Sequence, residues 1–343
     1  MCGASLGSFS GADYTGRMII VTGGAGFIGS CLHAALRQRG LRTVVVDRLR
    51  EGVKWRNLVS HAPDQIITPE ALPSFLETAP KIEAVFHMGA ISATTARDGD
   101  LVWSTNVALS QFLWRWCAQN DVRMIYASSA ATYGAADQPE MFRDGLDTID
   151  HLKPLNLYGW SKQVFDLWVK RELEAGHLAP PQWAGLKFFN VYGPNEYHKG
   201  SMISVVKVKY DDLQRGAAAR LFKSDVPGMA DGQQKRDFIW VGDVVNVMLW
   251  LFDHPDVSGL FNCGTGVARS YLDLAHAVCD AAHRARDVEF VEMPEKLRGQ
   301  YQSFTCADMS RLRQAGYDAP FTSLEDGIRQ YVHDYLSRSE SNL

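Results

Sequence analysis

The amino-acid sequence predicts an α/β protein: a doubly wound parallel sheet carrying a second, smaller substrate-binding lobe. Three observations point there. From Met18 onward, short runs rich in β-branched residues alternate with amphipathic stretches of helical length. A glycine-rich turn joins the first such run to the first helix. After Asn190 the alternation weakens, as it does where a second lobe leaves the sheet.

Taken in order, "MIIVT" (Met18–Thr22) reads as a buried strand and residues 27–39 as the helix that follows it. "TVVVD" (43–47), "AVFHM" (84–88), "RMIYAS" (123–128) and "GLKFFN" (185–190) read as further buried strands, with helices over 101–119 and 157–174. A loop then leads to a helix over 201–215 and to "VPGMADGQQ", whose Pro and Gly predict a mobile surface loop. "RDFIWVGDVVNVMLWLF" (236–252) reads as a strand entering a helix, and "GLFNCGTG" (259–266) as a strand and turn. The expected organisation is a flexible extension over residues 1–17, a nucleotide-binding domain over 18–189 and about 236–264, and a substrate lobe over about 190–235 and 265–343. That lobe would lie over the carboxyl edge of the sheet, where ligands sit in such folds.

The composition narrows the class of function. The chain has 343 residues, 46% hydrophobic and 22% charged, enough apolar material for one large core or two smaller ones. A formal net charge of −4 with no long run of Lys or Arg argues against a nucleic-acid or anionic-membrane partner. Six widely spaced cysteines show no C-x-x-C pair and no metal-ligand spacing, so they read as reduced cytoplasmic thiols and no metal is expected. The first residues lack the basic start and apolar run of a secretory signal, and no later segment reaches the ~20 apolar residues of a membrane span.

"VTGGAGFIGS" places Gly23, Gly26 and Gly29 at the spacing G-x-x-G-x-x-G, with Phe27 and Ile28 in the opening turn of the helix. Side chains there would hold the backbone N–H groups and the helix N-terminus away from a pyrophosphate, so the pattern marks a Rossmann-type dinucleotide cradle. Asp47 ends the next strand, where an acid hydrogen-bonds adenosine ribose hydroxyls and favours NAD. Arg48 and Lys54 could instead accommodate a ribose 2′-phosphate, and with two cations beside one acid the expected cofactor is NADP, with NAD the alternative.

"LNLYGWSKQVFDLW" puts Tyr158 and Lys162 four apart, on one face of a helix. Upstream, "YASSAATYG" puts Ser128 and Ser129 at the end of a strand that finishes beside the cofactor. An ammonium near a phenol stabilises phenolate and lowers a pKa that starts at ~10, and a serine hydroxyl can orient a substrate alcohol. Such a group takes a proton as a hydride leaves.

The glycine cradle, Ser129 and Tyr158-x-x-x-Lys162 resemble the extended short-chain dehydrogenase/reductase family over nearly the whole chain from Met18, and "RDFIWVGDVV" and "FNCGTG" resemble its later segments. The resemblance implies that Tyr158 is the acid/base, that Lys162 tunes it and holds the nicotinamide ribose, and that Ser129 assists. It also implies that Asn106 and the strand end "HMGAIS", with Gly89, Ala90 and Ser92, lie near the cofactor. His87 in that strand reads as a satisfied core residue.

Dehydratases of the family carry acids just after the serine-bearing strand, where this chain has Ala130, Ala131 and Thr132, so dehydration is disfavoured. "SSAATYG", "LNLYGWSK", "FFNVYGPNEYHKGSM", "QKRDF" and "GQYQSFTCAD" resemble the branch that epimerises C6 of an ADP-linked heptose for lipopolysaccharide synthesis. That branch implies oxidation to a transient C6 aldehyde, rotation about C5–C6 and hydride return to the opposite face, from the D-glycero to the L-glycero epimer. Tyr158 and Lys199 would be paired acid/base groups, with burial and a neighbouring cation pulling the lysine's pKa toward neutrality. The resemblance also implies a homo-oligomer and a nucleotide-sugar surface of Ser92, Asn190, Ser201, Phe222, Lys223, Ser224, Arg236 and Tyr301. Arg236 suits a diphosphate bidentately, and Tyr301 suits stacking or hydrogen bonding. The branch's histidine after "KGSM" falls here at Val208, between Lys207 and Lys209. The alternatives are an epimerase acting at C4 of a UDP-hexose and a non-catalytic NADP-binding sensor.

Overall fold

The computed structural model describes residues 17–79, 81–294, 303–338 and 342–343. The expected extension, apart from Arg17, and Tyr301 lie outside the described residues. The first half of the chain alternates β1 (Met18–Thr22), α1 (Phe27–Gln38), β2 (Arg42–Val46), β3 (Gln65–Ile67), α2 (Leu72–Thr78), β4 (Ile82–His87), α3 (Gly99–Val102), α4 (Leu109–Gln119), β5 (Arg123–Ser129), α5 (Leu157–Glu174) and β6 (Trp183–Phe188). The second half adds β7 (Asn190–Tyr192), α6 (Val205–Gln214), β8 (Ala219–Phe222), β9 (Lys235–Trp240), α7 (Val241–Asp253), β10 (Gly259–Cys263), β11 (Ala268–Ser270), α8 (Tyr271–Ala281), β12 (Val288–Val291), α9 (Ser310–Gln314) and α10 (Leu324–Tyr331).

Seven strands form one parallel sheet in the order β10-β6-β5-β4-β1-β2-β3. Side chains alternate across a strand, so a sheet covered on both faces needs apolar residues at every position. The register shows this directly: Ile19, Val21, Phe86 and Leu186 join the core under α1 and α7, while Ile20, Val85, Met124 and Tyr126 join the core under α4 and α5. The order reverses beside β1 and β4, which creates the crevice at their carboxyl ends.

Three expectations shift in informative ways. "GLKFFN" is two strands, because the backbone turns at Phe189, whose N–H donates to the Cys263 carbonyl, and β7 then leaves for a small sheet of order β11-β9-β7. The helix foreseen over 101–119 opens as α3, widens into a π-helical segment over Trp103–Ala108 that contains Asn106, and continues as α4. The helix foreseen from residue 201 starts at α6, where Ser204 caps it through the Lys207 N–H; a short 3-10 turn, Gly200–Met202, precedes it. Within residues 236–264, β9 belongs to the small sheet, whereas β10 extends the large one. A third sheet pairs β8 with β12 in parallel. "VPGMADGQQ" is tied down through Asp231, which accepts the Ser224 N–H, and through Gly232, whose carbonyl accepts from Leu272.

Candidate functional site

The turn between β1 and α1 is built for close approach. Gly23 has φ +64°, and a Cβ there would stand 2.7 Å from the Gly89 backbone, so the two strand ends can meet only with glycine at this position. The Asp47 carboxylate holds the turn from the side by accepting the Ala25 N–H at 2.9 Å. α1 then begins at Phe27 with no acidic residue in its first turn, leaving the positive end of the helix and its unpaired N–H groups for an anion. This cradle fits a dinucleotide pyrophosphate.

The cations beside Asp47 are differently engaged. Lys54 Nζ lies 2.5 Å from Asp47 Oδ1, and Arg48 pairs with Glu70 through a half-exposed guanidinium. Lys54 therefore offsets the charge of the acid that would otherwise repel a ribose phosphate.

At the end of β4, a chain of hydrogen bonds fixes the loop beyond it. Gly89 N–H donates to Thr22 Oγ1, and Thr22 Oγ1 lies 2.7 Å from His87 Nδ1. On the far side, His87 Nε2 lies 2.8 Å from Ser110 Oγ, which itself donates to the Asn106 carbonyl. With Thr22 already accepting and Ser110 already donating, the ring carries its proton on Nε2 and accepts at Nδ1. Burial pushes the His87 pKa down to about 3, in keeping with a neutral, satisfied core histidine. Asn106 completes the chain. Its side chain accepts the Ile91 N–H at 2.8 Å and donates to the Ile91 carbonyl and to Ser161 Oγ, each at 3.0 Å. Ser161 in turn donates to the Tyr158 carbonyl. Asn106 thus locks the Gly89–Ala90–Ile91 loop to the first turn of α5; Ser92, just beyond, is exposed.

α5 starts where Asn156 Oδ1 accepts the Gly159 N–H. Gly159 lets the helix sit against the turn after β5: a Cβ there would stand 2.6 Å from the Ala131 carbonyl oxygen. That approach brings the Tyr158 hydroxyl into a hydrogen bond with Ser129, whose Oγ also accepts the Ala131 N–H. Burial raises the phenol's pKa and the Ser129 bond lowers it. The expected lowering by Lys162 is absent. The Lys162 ammonium is buried and donates to the Ala127 carbonyl at 2.7 Å, and desolvation brings its own pKa down to about 8. Ser128 faces the other way and donates to Asp166 at 2.7 Å, so of the two serines only Ser129 faces Tyr158.

Sequence reasoning overlooked the ion pair beneath these groups. Tyr158, Lys162 and Asp166 recur every four residues on one face of α5, and Asp166 meets Lys187 of β6 at 2.8 Å with both side chains fully buried. Lys187 also donates to Thr132 Oγ1 and lies 5.3 Å from the Tyr133 ring centroid. The signal was present as an acid four residues past the lysine.

Lys199 stands at the mouth of the cradle. Its Nζ is 5.2 Å from the ring centroid of Phe27, the first residue of α1, and the turn that follows it reaches the loop beyond β4 through Met202 and Thr94. Burial lowers the lysine's pKa; the charge acting on it is the Glu196 carboxylate, which raises it, rather than the expected cation. The positive charge of Lys199 falls instead on His198, whose pKa burial, Lys54 and Lys199 bring down to about 4.

The residues expected to bind substrate are spread over the small lobe. Asn190 opens β7 beside β9, and Arg236 of β9 is buried with its guanidinium 5.6 Å from the Tyr271 ring. Lys223, just past β8, pairs with Glu292 at 2.7 Å; Phe222 and Ser224 flank it, and Ser201 is exposed in the turn after Lys199. The lysines flanking Val208 are committed elsewhere, Lys207 to Asp211 and Lys209 to Asp212. Among the described residues, no group of three or more His, Cys, Asp or Glu could hold a metal, and no helix is long and apolar enough to cross a membrane.

Residues 19–264 match the model of the NAD dependent epimerase/dehydratase family. The chain is 47% identical over 330 residues to the ADP-L-glycero-D-manno-heptose-6-epimerase of Nitratidesulfovibrio vulgaris, covering 95% of this chain and 100% of that one. It is 43% identical to the enzyme of the same name from Fusobacterium nucleatum, with the same coverage. Among solved structures it is similar to Helicobacter pylori ADP-L-glycero-D-manno-heptose-6-epimerase, with a TM-score of 0.76, 26% identity and coverage of 94% and 96%. It is also similar to Thermus thermophilus UDP-glucose 4-epimerase in complex with NAD, with a TM-score of 0.71, 26% identity and coverage of 92% and 97%.

Proposed function

The chain belongs to the NAD dependent epimerase/dehydratase family, and from that premise we propose that it is an epimerase inverting C6 of ADP-glycero-manno-heptose, from D-glycero to L-glycero. The observation that carries the reading is full-length identity of 43–47% to relatives named for that reaction, joined to a site with two candidate proton carriers, Tyr158 and Lys199.

The nicotinamide of a bound dinucleotide supplies the hydride acceptor and donor; everything else falls to the protein. Gly23, Gly26 and Gly29, with Phe27 and Ile28, would hold the pyrophosphate; Asp47, Arg48 and Lys54 the adenosine ribose; Gly89, Ala90, Asn106, Tyr158 and Lys162 the nicotinamide end. We take the dinucleotide to be NADP, because Lys54 offsets Asp47 and the next residue, Arg48, carries a half-exposed guanidinium, paired with Glu70, that a ribose phosphate could draw on.

Oxidation at C6 removes its hydrogen as hydride and the hydroxyl proton to a side chain. C6 of a heptose is bonded to both C5 and C7, so the carbonyl formed there is a ketone, which corrects the aldehyde expected from the resemblance. Rotation about C5–C6 then presents the opposite face for hydride return, and the oxygen takes a proton in its new orientation. Two carriers serve two orientations. Burial raises the pKa of Tyr158 and lowers that of Lys199, which favours the phenol as the acid and the amine as the base. Ser129 orients the alcohol, and Arg236 would meet the diphosphate, with Ser92, Asn190, Ser201, Phe222, Lys223, Ser224 and Tyr301 around the nucleotide-sugar.

The reading extends to a cytoplasmic homo-oligomer that supplies lipopolysaccharide precursors, and to the division into a nucleotide-binding domain (18–189 and about 236–264) and a substrate lobe. Free thiols at Cys31, Cys117, Cys263, Cys279 and Cys306 support a reducing compartment. The test is NMR of products after incubating the purified protein, with no cofactor added, with ADP-D-glycero-D-manno-heptose and separately with UDP-galactose. Inversion at C6 of the heptose alone is expected. Turnover of the hexose alone would overturn the substrate and the role of Lys199.

A further inference from the structure

Lys199 sits in a loop whose two ends are closed by one buried carboxylate. Glu196 is fully buried, and its own carbonyl accepts the Lys199 N–H at 3.0 Å, which closes the turn bearing the lysine. Its side chain then reaches forward: Oε2 accepts the Ser204 N–H at 2.7 Å and Oε1 accepts the Ser204 hydroxyl at 2.6 Å, so the carboxylate is fastened to the residue that caps α6. A third donor, the Tyr331 hydroxyl at the end of α10, approaches Oε1 at 2.9 Å. Burial raises the pKa of the Glu196 carboxyl, and the Ser204 donors, the charge of Lys199 and the Tyr331 hydroxyl pull it back toward the ionised form. The groups about this loop are then Glu196, Tyr197 and His198 within it, Phe27 of α1 facing Lys199, and Tyr331 of α10 facing Glu196 and Tyr197, with Lys54 and Asp47 acting on His198. Of these, the charge that reaches the ammonium is that of Glu196.

We propose that Glu196 is a positioning residue for Lys199, clipping both ends of its loop and keeping a negative charge beside its ammonium. The proposal rests on the reading of Lys199 as a proton carrier. Burial lowers the lysine's pKa and the carboxylate pulls the other way, so the two together set how readily Lys199 gives up and regains its proton.

Glu196→Gln isolates the charge. Its amide oxygen can accept the Ser204 N–H while its NH₂ donates to the two hydroxyls, each of which can turn to accept. The test is competitive labelling of Lys199 with acetic anhydride from about pH 6 to about pH 10, read by peptide mass spectrometry in wild type, Glu196→Gln and Ser204→Ala. In Glu196→Gln the labelling midpoint should fall by about one pH unit, and the heptose pH–rate profile should move in the same direction. Ser204→Ala keeps the charge but loosens the clip, so its midpoint should stay within about 0.3 unit while the plateau labelling rate rises several-fold. A folded Glu196→Gln with an unmoved midpoint overturns the inference, even if Lys199→Met is inactive on the heptose. Should Glu196→Gln not fold, a wild-type labelling rate in Ser204→Ala overturns it instead. Full activity of Lys199→Met overturns both the inference and the reading beneath it.

Discussion

Lys199 and Tyr158 are desolvated alike, yet the same physical effect drives them in opposite directions. Burial disfavours charge, so it makes the phenol a weaker acid and the ammonium a stronger one. Removing either carrier should leave binding of the nucleotide-sugar in place and lower kcat. We expect Tyr158→Phe and Lys199→Met each to reduce kcat by roughly 10²–10⁴ with KM changed less than about threefold, measured by NMR-monitored epimerisation from each epimer. The pair beneath them belongs to stability first. Lys187→Met leaves the Asp166 carboxylate buried and uncompensated, and should cost about 3–5 kcal/mol in denaturant unfolding; Asp166→Asn with Lys187→Met should recover part of that loss. None of these side chains is unusual in sequence. Tyr158, Lys162 and Ser129 were legible because their spacing carries them to one place, whereas Glu196 and Lys187 acquire meaning only from partners eight and twenty-one residues away.

At the scale of elements, the cradle depends on two turns that abut without side chains. Gly23→Ala would place a methyl group into the Gly89 backbone at a positive φ, so the β1 and β4 ends must separate. Purified Gly23→Ala should retain less than about a tenth of the wild-type dinucleotide, read by absorbance of the released cofactor, because the backbone N–H groups no longer converge. α5 depends on its cap: Asn156→Ala should lower stability by about 1 kcal/mol, measured by urea unfolding. The element boundaries that sequence reasoning misplaced have one cause. "GLKFFN" is uniformly apolar and has strand propensity throughout, but Phe189 bonds to Cys263 and diverts the chain to another sheet. The π-helical segment at Trp103–Ala108 likewise follows from where Asn106 must reach, which helical periodicity does not record.

For the molecule as a whole, the pH dependence of stability follows from which way each buried group is shifted. The folded pKa of His87, about 3, lies below its unfolded value, so the stability it contributes is present above about pH 6.5 and is lost as pH falls toward 3. Asp144 acts in reverse: burial raises its pKa to about 6, and its contribution is lost as pH rises from about 4 to 6. The histidine effect over its full range is roughly 5 kcal/mol and the Asp144 effect about 3 kcal/mol; His198, lowered to about 4, adds to the former, and the buried carboxyls of Glu196, Asp237 and Asp243, which burial also raises, add to the latter. Between about pH 6.5 and pH 4, His87→Asn should lose less unfolding free energy than wild type in urea titrations, because the histidine's share of the acid loss is gone. Sequence alone determined the doubly wound sheet, the glycine cradle and the Tyr158–Lys162 spacing, because each is a local pattern whose geometry follows from strand period, helix period and the absence of side chains. Tertiary structure alone decided which way each pKa moves, which of two adjacent serines meets Tyr158, and that a carboxylate rather than a cation stands beside Lys199. Those outcomes depend on burial and on partners brought together from distant parts of the chain, and desolvation and Coulomb energies are set by distance in space rather than by separation along the sequence.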